Sequence, residues 1–459
     1  MKVDAITVTA DLGGPAERVL ASDLAAVRAG LAVVADTLRI TWTRPAAVLS
    51  PEPTDLQLTL WKPHDHTWPD VDIDTRLTVS WTLGGVDTVV FDGYVDTVTS
   101  HPADPGLLDG RRWHAVTIAA ICPIGRYSRV RFGEEPWPSE HSNVRANRFE
   151  NLLPGWDAPY LLEVNQVPNT DRRYTRAARI DVDSRSPIEV AQELLAAHRI
   201  VLIPNTSAAT PTVIGVPLAR RELGDIVLAG GVATYRPAAG TIATVELPAW
   251  AVDNADKVKG FDSAISAVTV RYHLGAMDSP DTKVREVSKT WGDPTSPGTS
   301  LSIDTQSLSV QYLSVPYTDA QWELLQPDPP LNADFWASLI QPNNRGVVRL
   351  GALRVPLSRL GDEHQAALRA LTDLTGRWGT AVHFSGITPD VSPVQVPIGG
   401  TLTLSGDPAL CELSLEVEPF ELSAPGSVTW RTFADAPVNV AMYQADFTFL
   451  QSALASEVK

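Results

Sequence analysis

The sequence predicts a mainly β chain with a few helices, a β-rich α+β fold. Two observations carry this. Apolar side chains alternate with period two in many short segments along the 459 residues, and loops rich in Pro, Gly, Asp and Ser separate them. Only two segments carry strong helix signals at both ends. At this length, with 44% hydrophobic residues, the chain can build real cores in two to four domains. The balance of 37 Lys and Arg against 54 Asp and Glu gives a formal charge of -17, which opposes a basic face for nucleic acid or anionic lipid.

In chain order, a first strand is expected over 3–10. Residues 15–29 place Leu20, Leu24 and Val27 at helical spacing before Gly30, so a helix is preferred there over a strand or loop. Leu38, Ile40 and Trp42, then Leu56, Leu58 and Leu60, alternate as two half-buried strands. Leu77, Val79 and Trp81 face Val89, Phe91 and Val95 across Gly84-Gly85, a dipeptide that accepts the positive φ angles of a tight hairpin turn. A third strand covers Val116 to Ile121, and an arginine-rich segment follows, ending in EPWP at 135–138.

Residues 139–159 read as irregular, and Tyr160 to Val164 as a strand. Ser186, Pro187 and Glu189 form an N-cap, a first-turn proline and a capping box for a helix over 186–198, and a strand from Arg199 follows. Strands are then expected at 241–247, 265–272, 283–289, 308–315, 347–357 and 411–417. They are interrupted by a helix over 362–375 with Asp362 as cap, Gln365 at the box position, Ala367, Leu368, Leu371 and Leu374 on one face, and Gly376 as stop. Val428 to Leu450 reads as a final strand or as an arm docking on a neighbour.

No catalytic, cofactor or metal site emerges. His64, Asp65, His66, Asp70, Asp72 and Asp74 supply donors, but Thr75 stands where a calcium loop needs its turning Gly and Trp81 where it needs its Glu. A solvated loop explains the cluster better. His198 suits the end of its helix dipole, and His383-Phe-Ser-Gly lacks the first Gly of a nucleophile elbow. Cys122 and Cys411 lie in strand-like runs and read as buried free thiols. The 13 Trp are spread along the chain, several in phase with strand alternation, which favours packing over a carbohydrate platform. The N-terminus has no signal-peptide core, and no apolar run is long enough to span a bilayer, so synthesis and folding in a cytoplasm are expected.

The succession LQLTLW from Leu56, RLTVSW from Arg76, FDGYVD from Phe91, VTIAAICPIGR from Val116 and EPWP from Glu135 resembles the minor tail proteins of long-tailed bacteriophages of actinobacteria, relatives of the baseplate or tail hub. The likeness extends to the helix from Ser186 and more loosely to ISAVTVRY from Ile265. Where the family carries Asp after the VTIAA strand, this chain carries Cys122.

The resemblance implies two tail-tube-like antiparallel β-barrel or sandwich domains, at 1–135 and 211–425, joined by an α/β connecting region at 136–210, with 426–459 as C-terminal strands or a docking arm. It implies a homotrimeric structural ring at the virion tail tip. That ring would join the sixfold tube or distal tail protein to threefold tip or fibre proteins, contact the tape measure protein, and pass DNA transiently through its lumen. The runner-up reading is a receptor- or carbohydrate-binding tail protein, and a tail-associated cell-wall hydrolase comes third. Arg126, Arg129, Arg131 and Trp137 are the expected inter-subunit contacts.

Overall fold

The computed structural model describes residues 5–11, 17–21, 34–43, 53–63, 71–102, 113–133, 135–153, 156–157, 176–197, 200–206, 211–217, 225–229, 232–236, 243–253, 257–258, 265–276, 284–311, 318–327, 329–330, 333–338, 340, 349–385, 394–405 and 410–419. The fold is mostly β with few helices, as the alternation predicts.

The first seven strands are β1 (Ala5–Ala10), β2 (Arg18–Ala21), β3 (Val34–Thr43), β4 (Asp55–Pro63), β5 (Arg76–Leu83), β6 (Val86–Pro102) and β7 (Trp113–Ile121). The β5–β6 turn puts Gly84 and Gly85 at φ +60° and +72°, the conformation their missing Cβ permits. At 18–21 the expected helix gives way to β2, which pairs with β1. Leu20 is buried and Val19 exposed, so period two wins over the helical spacing of Leu20, Leu24 and Val27. The rest of that expected helix lies outside the described residues.

Two helices follow that the sequence reading passed over, α1 (Pro123–Arg129) and α2 (Ser142–Leu152), the second lying in the stretch read as irregular. Its inward positions, Ser142, Arg145, Ala146 and Phe149, do have helical spacing. A serine and an arginine stand in that stripe, so a search for apolar periodicity alone misses it. Between and after these helices run β8 (Glu140–His141), β9 (Trp156–Asp157) and β10 (Arg176–Ala177). Then comes α3 (Pro187–Ala197), where Glu189 N–H donates to Ser186 Oγ and Ser186 N–H to the Glu189 carboxylate at 2.7 Å, closing the predicted box. Its face of Ile188, Val190, Ala191, Leu194 and Leu195 joins Cys122, Ile124, Trp137 and Phe149 in a second core.

The strands β11 (Ile200–Thr206), β12 (Pro211–Pro217), β13 (Asp225–Ala229), β14 (Val232–Arg236), β15 (Ala243–Pro248), β16 (Lys257–Val258), β17 (Ile265–Ala276), β18 (Val284–Gly292) and β19 (Thr299–Gln311) follow. β19 begins nine residues before the expected start at 308, in parallel register with β17. Short helices α4 (Asp319–Glu323) and α5 (Ala333–Ser338) precede β20 (Arg349–Leu350) and β21 (Leu353–Pro356), which divide the single strand expected over 347–357. The helix expected from Asp362 starts with a 3-10 turn. α6 runs Gln365–Thr372, and Gln365 donates to the Asp362 side chain rather than closing a box on the backbone. Gly376 opens a further 3-10 turn, 376–379, instead of stopping the helix. The chain then forms β22 (Thr380–Ser385), β23 (Val394–Ser405) and β24 (Glu412–Pro419).

Twelve strands make one sheet in the order β15-β22-β23-β3-β4-β7-β6-β5-β1-β2, with β24 on β23 and β21 on β24. β23 is its seam. Along one edge it pairs first with β22 and then with β3, from Gly399 opposite Thr43 to Ser405 opposite Thr37. Gly400 lets Trp42 lie against this strand, since a Cβ there would stand 2.6 Å from the indole. Segment 365–379 crosses the β5–β6 hairpin: Arg369 donates to Leu83 O at 2.6 Å and Leu374 N–H to Val89 O at 2.8 Å. The largest core accordingly mixes both ends of the chain, with Ile6, Leu38, Trp81 and Phe91 beside Leu353, Leu368, Phe384 and Leu413. A separate sheet, β18-β17-β19-β10-β8, packs Val268 and Val270 on Trp336.

Candidate functional site

The three predicted arginines sit at the exit from β7. α1 follows that strand at once, with Pro123 in its first turn and Arg126 and Arg129 in its last, where cations suit the helix dipole. Arg126 lies 4.0 Å over the Tyr94 ring and pairs with Asp74 at 3.2 Å. Arg129 pairs with Asp96 through both carboxylate oxygens, and that contact holds the Asp96 carboxyl below its usual range. Arg131 is exposed and, among the described residues, donates only to the carbonyls of Ser128 and Val130. It lies within electrostatic reach of Glu189, but that carboxylate is committed to the α3 cap. Ile73, 69% exposed, and Val130, 41% exposed, flank the group.

Trp137 does not share this surface. It is 8% exposed, packs on Phe132 and Phe149, and lies 5.4 Å from the Arg145 guanidinium. Arg145 itself is fully buried. It donates to Glu140 at 2.5 Å, Gln306 at 2.7 Å, Pro138 O at 2.6 Å and Ala178 O at 3.1 Å, so one side chain ties α2, β8 and β19 together.

A further buried arginine was not foreseen. Arg377 is 2% exposed, lies 4.5 Å over Trp42, and donates to Val90 O at 3.2 Å and Thr54 Oγ1 at 3.3 Å, while its Nε has no acceptor. Burial pulls its pKa down to about 9. Thr54 N–H donates in turn to Cys122 Sγ at 3.1 Å. Burial pushes this thiol's pKa up, so at neutral pH it is an uncharged acceptor. Both cysteines are buried and free, as expected.

His383 lies within β22, opposite Val394 of β23, which is not the strand-to-helix turn of a nucleophile elbow. His64, Asp65, His66, Asp70 and His198 lie outside the described residues. Among the described residues no group of three or more His, Cys, Asp or Glu could hold a metal ion, and no helix is long and apolar enough to cross a membrane. Among Trp side chains that are described, those of 42, 81, 137, 322, 336 and 378 are buried, 291 is half-buried, and Trp250 is 64% exposed.

No family model and no curated protein matches the sequence. Among solved structures the chain is similar to the tail protein from Neisseria meningitidis MC58, at 11% identity over 92% of this chain and 98% of that one, with a TM-score of 0.46. It is similar also to the 43 kDa tail protein of prophage MuSo2 from Shewanella oneidensis, at 13% identity, 92% and 100% coverage and a TM-score of 0.46. A third is the E. coli c3393 protein, a component of the type VI secretion system, at 9% identity, 89% and 80% coverage and a TM-score of 0.44.

Proposed function

We propose that this chain is a structural component of a phage tail, a hub at the distal end of the tail tube rather than an enzyme. The observation that carries the reading is the succession of strands from Leu56 to Pro138, which resembles the minor tail proteins and folds as consecutive, paired strands β4 to β7 leading into α1. In this reading three copies close a ring between the distal tail or tube protein and the tip or fibre proteins. The ring contacts the tape measure protein, and DNA passes through its lumen without being retained. The net charge of -17 suits a conduit that repels a polyanion. Ring closure also covers sheet edges that would otherwise template aggregation. Arg126, Arg129 and Arg131 lie at a subunit contact, whereas Trp137 supports it from inside its own chain.

The test is the mass of the purified full chain in solution, together with antibody labelling of particles that contain it. A trimer and label confined to the tail tip are expected. A stable monomer that binds no tail protein, or label along the tube or on the head, refutes the reading. The carbohydrate-binding alternative requires binding to cell-wall glycan that a Trp250→Ala variant loses.

A further inference from the structure

Trp250 stands apart from the other described indoles. It follows β15 in a 3-10 turn, Ala249–Ala251, and is 64% exposed, with the His364 ring edge-on at a centroid distance of 6.4 Å. Around it the charges are of two kinds. Asp253 is engaged by Arg359 at 2.6 Å, and Glu412 by Arg354, so these four make a neutral border. Glu363 is 69% exposed, and its only ion-pair partner among the described residues is His364 at 3.5 Å, a charged partner only when the imidazole is protonated. The surface therefore offers an open indole beside a carboxylate that lacks a permanent counter-ion.

The converse surface exists on the same chain. Arg131 is an exposed guanidinium that makes no ion pair among the described residues and has exposed Val130 beside it. Guanidinium groups stack on tryptophan faces and pair with carboxylates, so each surface supplies what the other lacks. In one subunit the two are carried by different elements: Arg131 follows α1, whereas Trp250 follows β15 and Glu363 precedes α6, and Arg131 donates to carbonyls of its own segment.

We propose that the Trp250 surface receives a second copy of this chain, with Arg131 of one copy laid on Trp250 and against Glu363 of the next. The contact is heterologous, two different surfaces of identical chains, which is the kind that closes a ring when its rotation permits. It rests on the ring reading above and names the partner surface that reading leaves open. Trp and Arg are also the side chains that most often dominate interface energetics.

The test is sedimentation velocity of the full chain as wild type, Arg131→Glu, Glu363→Arg, Trp250→Ala and the double variant Arg131→Glu/Glu363→Arg, with near-ultraviolet circular dichroism as the folding control. Each single variant is expected to weaken self-association about 30-fold, and the double charge swap to recover most of it. Recovery by the swap is a result that misfolding cannot produce. If the wild type assembles and the charge reversals leave assembly unchanged, this contact is wrong while the ring reading stands. A wild type that stays monomeric overturns the ring reading and this contact with it.

Discussion

Arg145 and Arg377 are two of the three arginines buried among the described residues, Arg76 being the third, and their surroundings differ. Arg145 has four acceptors, one a carboxylate with which it pairs at 2.5 Å. Arg377 has two neutral acceptors, two indoles and no acceptor at Nε. In the first case burial still lowers the pKa, but Coulomb attraction to Glu140 and four hydrogen bonds offset part of the desolvation. In the second, much of the desolvation stands uncompensated, and burial lowers the pKa to about 9. A buried charge is a joint when every donor is matched, and a weak point when it is not.

Replacing Arg145 by Met should have the largest effect. It removes one of the two arginines on Glu140, leaving Arg148 at 2.8 Å, and takes their shared donor from Gln306, Pro138 O and Ala178 O. With Arg148 still on the carboxylate, the loss is expected at the lower end of the about 3–5 kcal/mol that breaking a buried pair from one side costs, readable by urea unfolding. A loss under about 1 kcal/mol would show that solvent reaches the site in place of the guanidinium.

Cys122→Asp should act in the opposite direction. Cys122 is the N-cap residue of α1, a position that favours Asp, and the Thr54 N–H already donates to its sulfur. An aspartate there would accept from the Thr54 N–H and add a carboxylate beside Arg377 to the field of Asp373. A gain of about 1–3 kcal/mol is expected. The gain should disappear in an Arg377→Met background, and a gain that survives there would assign it to capping alone. Arg377→Met by itself should stay within about 1 kcal/mol of wild type, because relief of an unpaired charge offsets the lost stacking and two neutral hydrogen bonds.

The contrast also explains what could be read in advance. Strands β3 to β7 were legible because each keeps period two over several residues, and α3 because Ser186, Pro187 and Glu189 spell its start. α2 was not, because Arg145 occupies a core position that a polarity pattern assigns to the surface. That β23 would pair with β3, some 360 residues away, leaves no local mark beyond two adjacent glycines, Gly399 and Gly400, whose role depends on Trp42 lying against them. The arginines after β7 were visible as a cluster. Their division into two ion-paired groups and one unpaired one depends on Asp74 and Asp96, which only the folded chain brings alongside.

His273 carries the comparison to a group that can choose its charge. It lies on β17, opposite Glu286 of β18 and Leu308 of β19, half-buried, with Nδ1 lacking a partner. Burial lowers its pKa, and the charges of Glu286, Glu193 and Asp304 only partly oppose this. The folded protein thus binds the proton less readily than the unfolded chain, whose imidazole titrates near ~6.5. Its contribution to stability is complete above that value and is lost as pH falls from there through the lower folded-state pKa. His273→Gln removes the titration while keeping a polar side chain. Between pH 7 and pH 5 the variant should lose less stability than wild type when urea midpoints are compared. Parallel losses would mean that the unpartnered Nδ1 is solvated in the folded state, and that this imidazole, unlike Arg377, is not strained by its burial.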